Sequence, residues 1–231
     1  MDFNGWEKLS LVDFDNNVTT ALFSGGCNLR CPFCHNSLLV LHPNEGEKIP
    51  WDTILEYLDK RKGILDAVAI TGGEPTLMPD LVDKMKDIKE RGYKIKLDSN
   101  GTNPKVLKDL VSFELVDYIA MDIKNSLGKY GVTSGSPMMD TSKIEESISF
   151  LIEGNVDYEF RTTLIDEFHT ENDMVRIGEM LKGAKRLYLQ HYIDSENCIH
   201  RGFHEVSKEK AISFREILKN YISDVELRGY K

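Results

Sequence analysis

Basic residues are in deficit: 29 Lys and Arg stand against 38 Asp and Glu in 231 residues, a formal net charge of −9. A chain this acidic is not built as a general binder of phosphate backbones, so nucleic acid is set aside as a partner. Long apolar runs are missing too. No stretch approaches the roughly 18 apolar residues that cross a bilayer, and no apolar h-region follows the start MDFNGWEKLS. The chain is therefore expected to be soluble and cytoplasmic, with no membrane partner. Cysteines are scarce, four in all, too few for a disulfide scaffold. No internal repeat, low-complexity tract or composition break marks a linker, and one domain over residues 1–231 is the expectation.

What the chain does have is a hydrophobic fraction of 41%, enough for a real core, and an alternation of two kinds of segment. Short β-branched runs at 18–23, 66–71, 93–98, 116–123, 156–165 and 186–191 read as strands. Amphipathic stretches lie between them, with recognisable starts at Pro50, Asn103-Pro104, Thr170 with Asp173, and Ser207. Gly63, Gly92 and Gly154 stand where helices close. Strand and helix alternating about six times imply a parallel sheet, because each parallel pair needs a crossover that the helix provides. Six units are fewer than a closed barrel takes, which leaves an incomplete barrel or a doubly wound open sheet. In either, functional groups gather at the carboxyl ends of the strands.

Motifs stand at those ends. The first strand runs into SGGCNLRCPFCHN, with Cys27, Cys31 and Cys34 crowded into eight positions. TGGEP (71–75) follows the second strand, DSNG (98–101) ends the third and MDIK (121–124) the fourth. Three thiolates at this spacing in a loop can converge on one iron-sulfur cubane, leaving one iron without a protein ligand. A zinc ion completed by His35 or Cys198 is the alternative, although zinc ligands usually arrive as two short pairs and no second pair exists here.

The C-x3-C-x2-C spacing, the aromatic Phe33 before the last cysteine and the G-G-E that follows resemble the radical S-adenosylmethionine (SAM) enzymes. Within them the chain is most similar to the activating enzymes of glycyl-radical proteins, particularly the activase of anaerobic ribonucleoside-triphosphate reductase. CPFCHN, AITGGEPTL, LDSNGTNP, VDYIAMDIK, VDYEFRTTLI and LYLQHY carry the resemblance across most of residues 5–192. It implies a partial (β/α)6 barrel of parallel strands. It implies a 4Fe-4S cluster on Cys27, Cys31 and Cys34, whose open iron is chelated by SAM, and reductive cleavage of SAM to a 5′-deoxyadenosyl radical.

Carried over position by position, Gly72, Gly73 and Glu74 meet the methionine amino group. Asp98 and Asp122 border SAM and a monovalent cation, and Lys124 and Arg161 approach the SAM carboxylate. His191, or Tyr192 beside it, falls at the last strand-end contact. His35 and Asn36 shape the cysteine loop, and Cys198 is read as non-ligating. The implied partners are a glycyl-radical enzyme, anaerobic ribonucleotide reductase first, and a flavodoxin- or ferredoxin-like electron donor. The chain lacks the further cysteine clusters of extended radical SAM enzymes, and six strands leave a side opening wide enough for a peptide loop. The same opening admits a small molecule, as in an enzyme resembling 7-carboxy-7-deazaguanine synthase. A zinc-stabilised interaction module is the reading outside catalysis. One departure from the activase pattern is Asn16-Asn17 in the place of a Pro-Gly turn; Asn tolerates the left-handed conformation such a turn needs.

Overall fold

The computed structural model describes residues 2–231. Eight strands, β1 (Gly5–Ser10), β2 (Thr19–Ser24), β3 (Ala67–Gly72), β4 (Lys94–Ser99), β5 (Tyr118–Asp122), β6 (Asp157–Leu164), β7 (Arg186–His191) and β8 (Asp224–Arg228), form one sheet in chain order. β1 is antiparallel to β2, and every later neighbour pair is parallel. Strand order that never reverses has no topological switch point, so the sheet is a barrel wall and not a doubly wound sheet. Among the described residues no ladder joins β1 to β8. The barrel is partial, as the resemblance implied.

The six expected strands correspond to β2–β7. The two edges were missed. β1 (GWEKLS) has no β-branched residue and β8 (DVELR) only Val225, and both show mixed exposure. Neither carries the β-branched run by which a buried strand is recognised. Charge on an edge strand also discourages pairing with another chain, a demand that competes with strand propensity.

The helices are α1 (Ser37–Leu41), α2 (Trp51–Lys60), α3 (Leu81–Glu90), α4 (Pro104–Ser112), α5 (Leu127–Thr133), α6 (Ser142–Ile152), α7 (Glu171–Met180) and α8 (Lys208–Leu218). Their starts follow from local chemistry. Asp173 N–H donates to Thr170 Oγ1 at 3.3 Å and Thr170 N–H donates to Asp173 Oδ2 at 2.9 Å, a reciprocal cap on α7. Ser207 Oγ accepts from Lys210 N–H at 3.2 Å and caps α8. Pro50 is the N-cap of α2, one place outside the helix, while Pro104 is the first residue of α4. Asn16 does adopt the left-handed turn, with φ of 60°.

Strand pleating divides the sheet into two faces of different character. On β4, Ile95 and Leu97 join the apolar core beneath the helices, with Met85, Leu107 and Leu110. Lys96 and Asp98, which alternate with them, face the barrel interior together with Asp122 of β5 and Arg161 of β6. The main core therefore lies between sheet and helices, while the barrel's inside is left for charge.

Replacing Thr170 by Ala removes the acceptor for one orphan amide of α7 and is expected to lower stability by about 1 kcal/mol. Urea unfolding followed by circular dichroism measures it.

Candidate active site

β2 delivers the chain into the cysteine loop, and hydrogen bonds from separate parts of the fold fasten that loop. Arg30 N–H donates to the Ser134 carbonyl at 2.9 Å. Ile199 and His200 donate to the Cys34 and Pro32 carbonyls at 3.1 and 2.7 Å. From behind, Asn36 Nδ2 donates to the Gly72 carbonyl at 2.9 Å. The loop thus has one shape although it contains no regular structure of its own.

All four cysteines are free. Cys27, Cys31 and Cys34 line one cavity of about 270 Å³ at the carboxyl ends of the strands. Leu29, Phe33, Ile165, Tyr192 and Cys198 pack with Cys31 in a second apolar cluster, flanked by Phe168 and Phe203. That wall withholds water from Cys31, while Cys27 and Cys34 are half-buried. Burial pushes all three thiols up, Cys31 to about 12, with Lys124 pulling the other way. Burial opposes the thiolate and Lys124 favours it, and a metal that claims the sulfurs displaces their protons.

Among the described residues, no three His, Cys, Asp or Glu side chains are grouped closely enough to hold a single metal ion. Three thiols that line one cavity with no fourth cysteine in its lining suit three corners of a cluster, with one iron left open, better than the closed tetrahedron of zinc. The two side chains proposed to complete a zinc site are engaged elsewhere. His35 Nε2 lies 2.6 Å from the Ile193 carbonyl with its ring stacked on Tyr192. Cys198 Sγ is 3.6 Å from the Tyr192 hydroxyl. The donor set therefore fits a 4Fe-4S cluster.

Across the cavity from the cysteines runs a ladder of charge. Lys96 Nζ stands 3.4 Å from Asp98 Oδ1, and Asp98 Oδ2 accepts from Arg161 Nη1 at 3.1 Å. Arg161 Nε donates to Asp122 Oδ1 at 2.8 Å, and Asp122 Oδ2 accepts from Lys124 Nζ at 3.0 Å. Sheet register explains the order, since Asp122 is directly opposite Arg161 on the next strand. Burial alone would push the Asp122 carboxyl up, but Arg161 and Lys124 outweigh it and hold it down, at about 2. Asp98 is lowered against the same burial by Arg161 and Lys96. Within the cavity lining the two carboxylates are balanced by Arg161 and Lys124, while Lys96 lines a separate pocket with Asp15 and Glu159. A monovalent cation between Asp98 and Asp122 would have to compete with these fixed cations.

Gly72 and Gly73 line the cavity, and their lack of side chains has a second cause. A Cβ on Gly73 would fall 1.9 Å from the Gly26 carbonyl oxygen, and one on Gly72 would fall 2.5 Å from the Ser24 backbone. Two bonds tie the strand end to the cysteine loop here, Gly73 N–H to Ser24 O at 2.9 Å and Glu74 N–H to Gly26 O at 2.8 Å. Glu74 itself lies behind the wall, 1% exposed. Its carboxylate accepts from Thr76 N–H and Oγ1, from Ser99 Oγ and from Asn100 N–H at 3.1, 2.5, 2.9 and 2.6 Å. It braces the end of β3 against the end of β4.

Asp98, Asp122, Lys124 and Arg161 all reach the cavity. His191 does not. Its Nε2 is 2.5 Å from Glu205 Oε2 and its ring packs on Tyr230, while Tyr192 is wholly buried in the second apolar cluster. Gln190 lines the cavity instead, in register with Thr163, two residues beyond Arg161. Sequence reasoning overlooked Thr163, Gln190 and Asn100. The two-residue period from Arg161 would have found Thr163; which parity of β7 faces inward is set by its pairing with β6.

The Radical SAM superfamily model matches residues 22–176. A protein of Methanocaldococcus jannaschii, named provisionally as a glycyl-radical enzyme activating enzyme, is 31% identical, with 97% of this chain and 95% of that protein aligned. A 7-carboxy-7-deazaguanine synthase of Methanothermobacter thermautotrophicus is 29% identical over 43% of this chain and 38% of its own length. Among solved structures, Streptococcus suis SuiB bound to S-adenosylmethionine superposes with a TM-score of 0.69 at 14% identity over 89% of this chain. The chain spans about half of SuiB, 49% of its length, and this likeness concerns the fold.

Two outcomes are expected. Gly73→Ala displaces the cysteine loop, so the variant retains its circular dichroism but binds less than a tenth of the wild-type iron after anaerobic reconstitution; iron and sulfide analysis reads this. For the ladder, the Asp122 carboxyl pKa is lower in the folded chain than in the unfolded one. Its ion pairs therefore add stability above the unfolded value of about 3.9, and that stability is lost as pH falls through about 2. In Arg161→Met the loss moves to higher pH, as urea unfolding between those limits will record.

Proposed function

Because the chain belongs to the radical SAM superfamily, we propose that it activates a glycyl-radical enzyme, abstracting hydrogen from a glycine of that partner. Anaerobic ribonucleoside-triphosphate reductase is the partner proposed first. The observation that carries this reading is the similarity, over nearly the whole of both chains, to the Methanocaldococcus jannaschii protein provisionally named as an activating enzyme. The cavity is the place for the chemistry. Cys27, Cys31 and Cys34 hold the cluster, and a flavodoxin- or ferredoxin-like protein supplies the electron.

The cluster and SAM supply one-electron cleavage of a sulfonium bond and the hydrogen abstraction that follows. The chain's own residues bind and shield. Lys124 and Arg161 present cations to the carboxylate of the methionine moiety, already oriented by Asp122. Gly72 and Gly73 bring bare backbone to the ammonium group, with Asp98 as the nearby anion. Leu29, Phe33 and Tyr192 keep water from the Cys31 sulfur. Glu74 acts at one remove, by holding the strand ends in place.

A second reading, radical SAM chemistry on a small molecule, draws on the shorter similarity to 7-carboxy-7-deazaguanine synthase. One experiment separates the two. Reduced protein, SAM and anaerobic ribonucleotide reductase are mixed without oxygen, and electron paramagnetic resonance is recorded. A glycyl radical on the reductase is the expected result; cleavage of SAM with no such radical favours the small-molecule reading. Cys31→Ala is expected to lose both the cluster absorption and SAM cleavage, and full cleavage by that variant removes Cys31 from the ligand set.

A further inference from the structure

Asn100 stands at the end of β4, 6% exposed, and its side chain is fully committed. Oδ1 accepts from Thr102 N–H at 3.0 Å and from Thr102 Oγ1 at 2.7 Å. Nδ2 donates to Asn28 Oδ1 at 2.9 Å, and Asn28 Nδ2 returns to Thr102 Oγ1 at 2.8 Å, closing a ring of three side chains. The second N–H of Asn100 is directed at Cys27 Sγ, 3.6 Å away. Because a backbone N–H of Thr102 can be met only by an oxygen, the amide cannot be turned over, and nitrogen must face the sulfur. The Asn100 backbone is fixed in turn by Glu74, through the bond to its Oε2.

We infer that Asn100 is a positioning residue that tunes the cluster electronically, its amide N–H withdrawing charge from the Cys27 thiolate and raising the cluster's reduction potential. The inference rests on the reading of Cys27 as a cluster ligand. Hydrogen bonds to cluster sulfurs favour the reduced state, which carries the extra negative charge. Cys27 also accepts from the Leu29 backbone at 3.4 Å, a bond that any residue at 29 except proline can make. The contribution from Asn100 depends on its side chain and can be varied. Glu74 thereby acquires a purpose beyond bracing: it sets the donor opposite the sulfur.

The test is a redox titration of the SAM-free, reconstituted protein, followed by the electron paramagnetic resonance of the reduced cluster. Asn100→Asp keeps both acceptor bonds to Thr102, removes the donor and adds a negative charge that lowers the potential further, whereas Asn100→Leu removes the donor without adding charge. In Asn100→Asp the equilibrium constant for reduction is expected to fall about tenfold or more, a potential lower by about 59 mV for one electron. Asn100→Leu is expected to move the potential the same way. Thr102→Val, which loosens the ring and leaves the N–H and sulfur in contact, is expected to change the constant less than threefold. A potential in Asn100→Leu unchanged within twofold, with full iron content, overturns the inference while leaving the cluster assignment intact. So does failure of both Asn100 variants to hold iron in a folded chain, because Asn100 would then support the loop and not the electron count. Absence of a cluster in the wild-type protein would instead overturn the proposed function itself.

Discussion

Everything at the strand ends depends on one close approach, the backbone of Gly72 and Gly73 against the carbonyls of Ser24 and Gly26. A methyl group at Gly73 would overlap the Gly26 oxygen at 1.9 Å. Because no side chain intervenes, Gly73 and Glu74 donate directly to the chain that leads into the cysteines. The loop carrying the three thiols is thereby referenced to β3, a buried strand of the sheet, and not left to its own conformational freedom. Glu74, held by the same contact, then reaches Ser99 and Asn100 on β4. A single steric condition aligns three strand ends around one cavity.

The cavity itself is divided by polarity. On one side the thiols lie in an apolar cluster, where their charged forms are disfavoured until a cluster claims them. Across from them, charges that would be costly alone are arranged in a line of alternating sign from Lys96 to Lys124. Buried ion pairs seldom add much net stability, since desolvation offsets the Coulombic gain. Their value here is geometric: each cation is aimed before any anion arrives. An overall charge of −9 conceals a site in which Arg161 and Lys124 are matched one for one by Asp98 and Asp122.

Much of the fold was legible because its signals are local. The six central strands and the starts of α4, α7 and α8 come from periods, caps and prolines that act within a few residues. β1 and β8 were not, because neither carries the β-branched run by which a strand is recognised. For the site, the cysteine trio, the paired glycines and the charged residues of β4, β5 and β6 stood out by type and spacing. His191 and Gln190 are adjacent, and residue type points to the histidine, yet the strand's pairing with β6 turns the glutamine inward.

From the sequence alone came the alternation of strand and helix, the three thiolates in one loop and the strand ends that carry chemistry. These follow from neighbours along the chain. Tertiary structure decided which of those residues face the cavity and which support it. Glu74 meets Asn100 across 26 positions, and Asn100 meets Cys27 across 73. Contacts so distant in sequence exist only once parallel strands have taken their register, because register and pleat together determine where a side chain points.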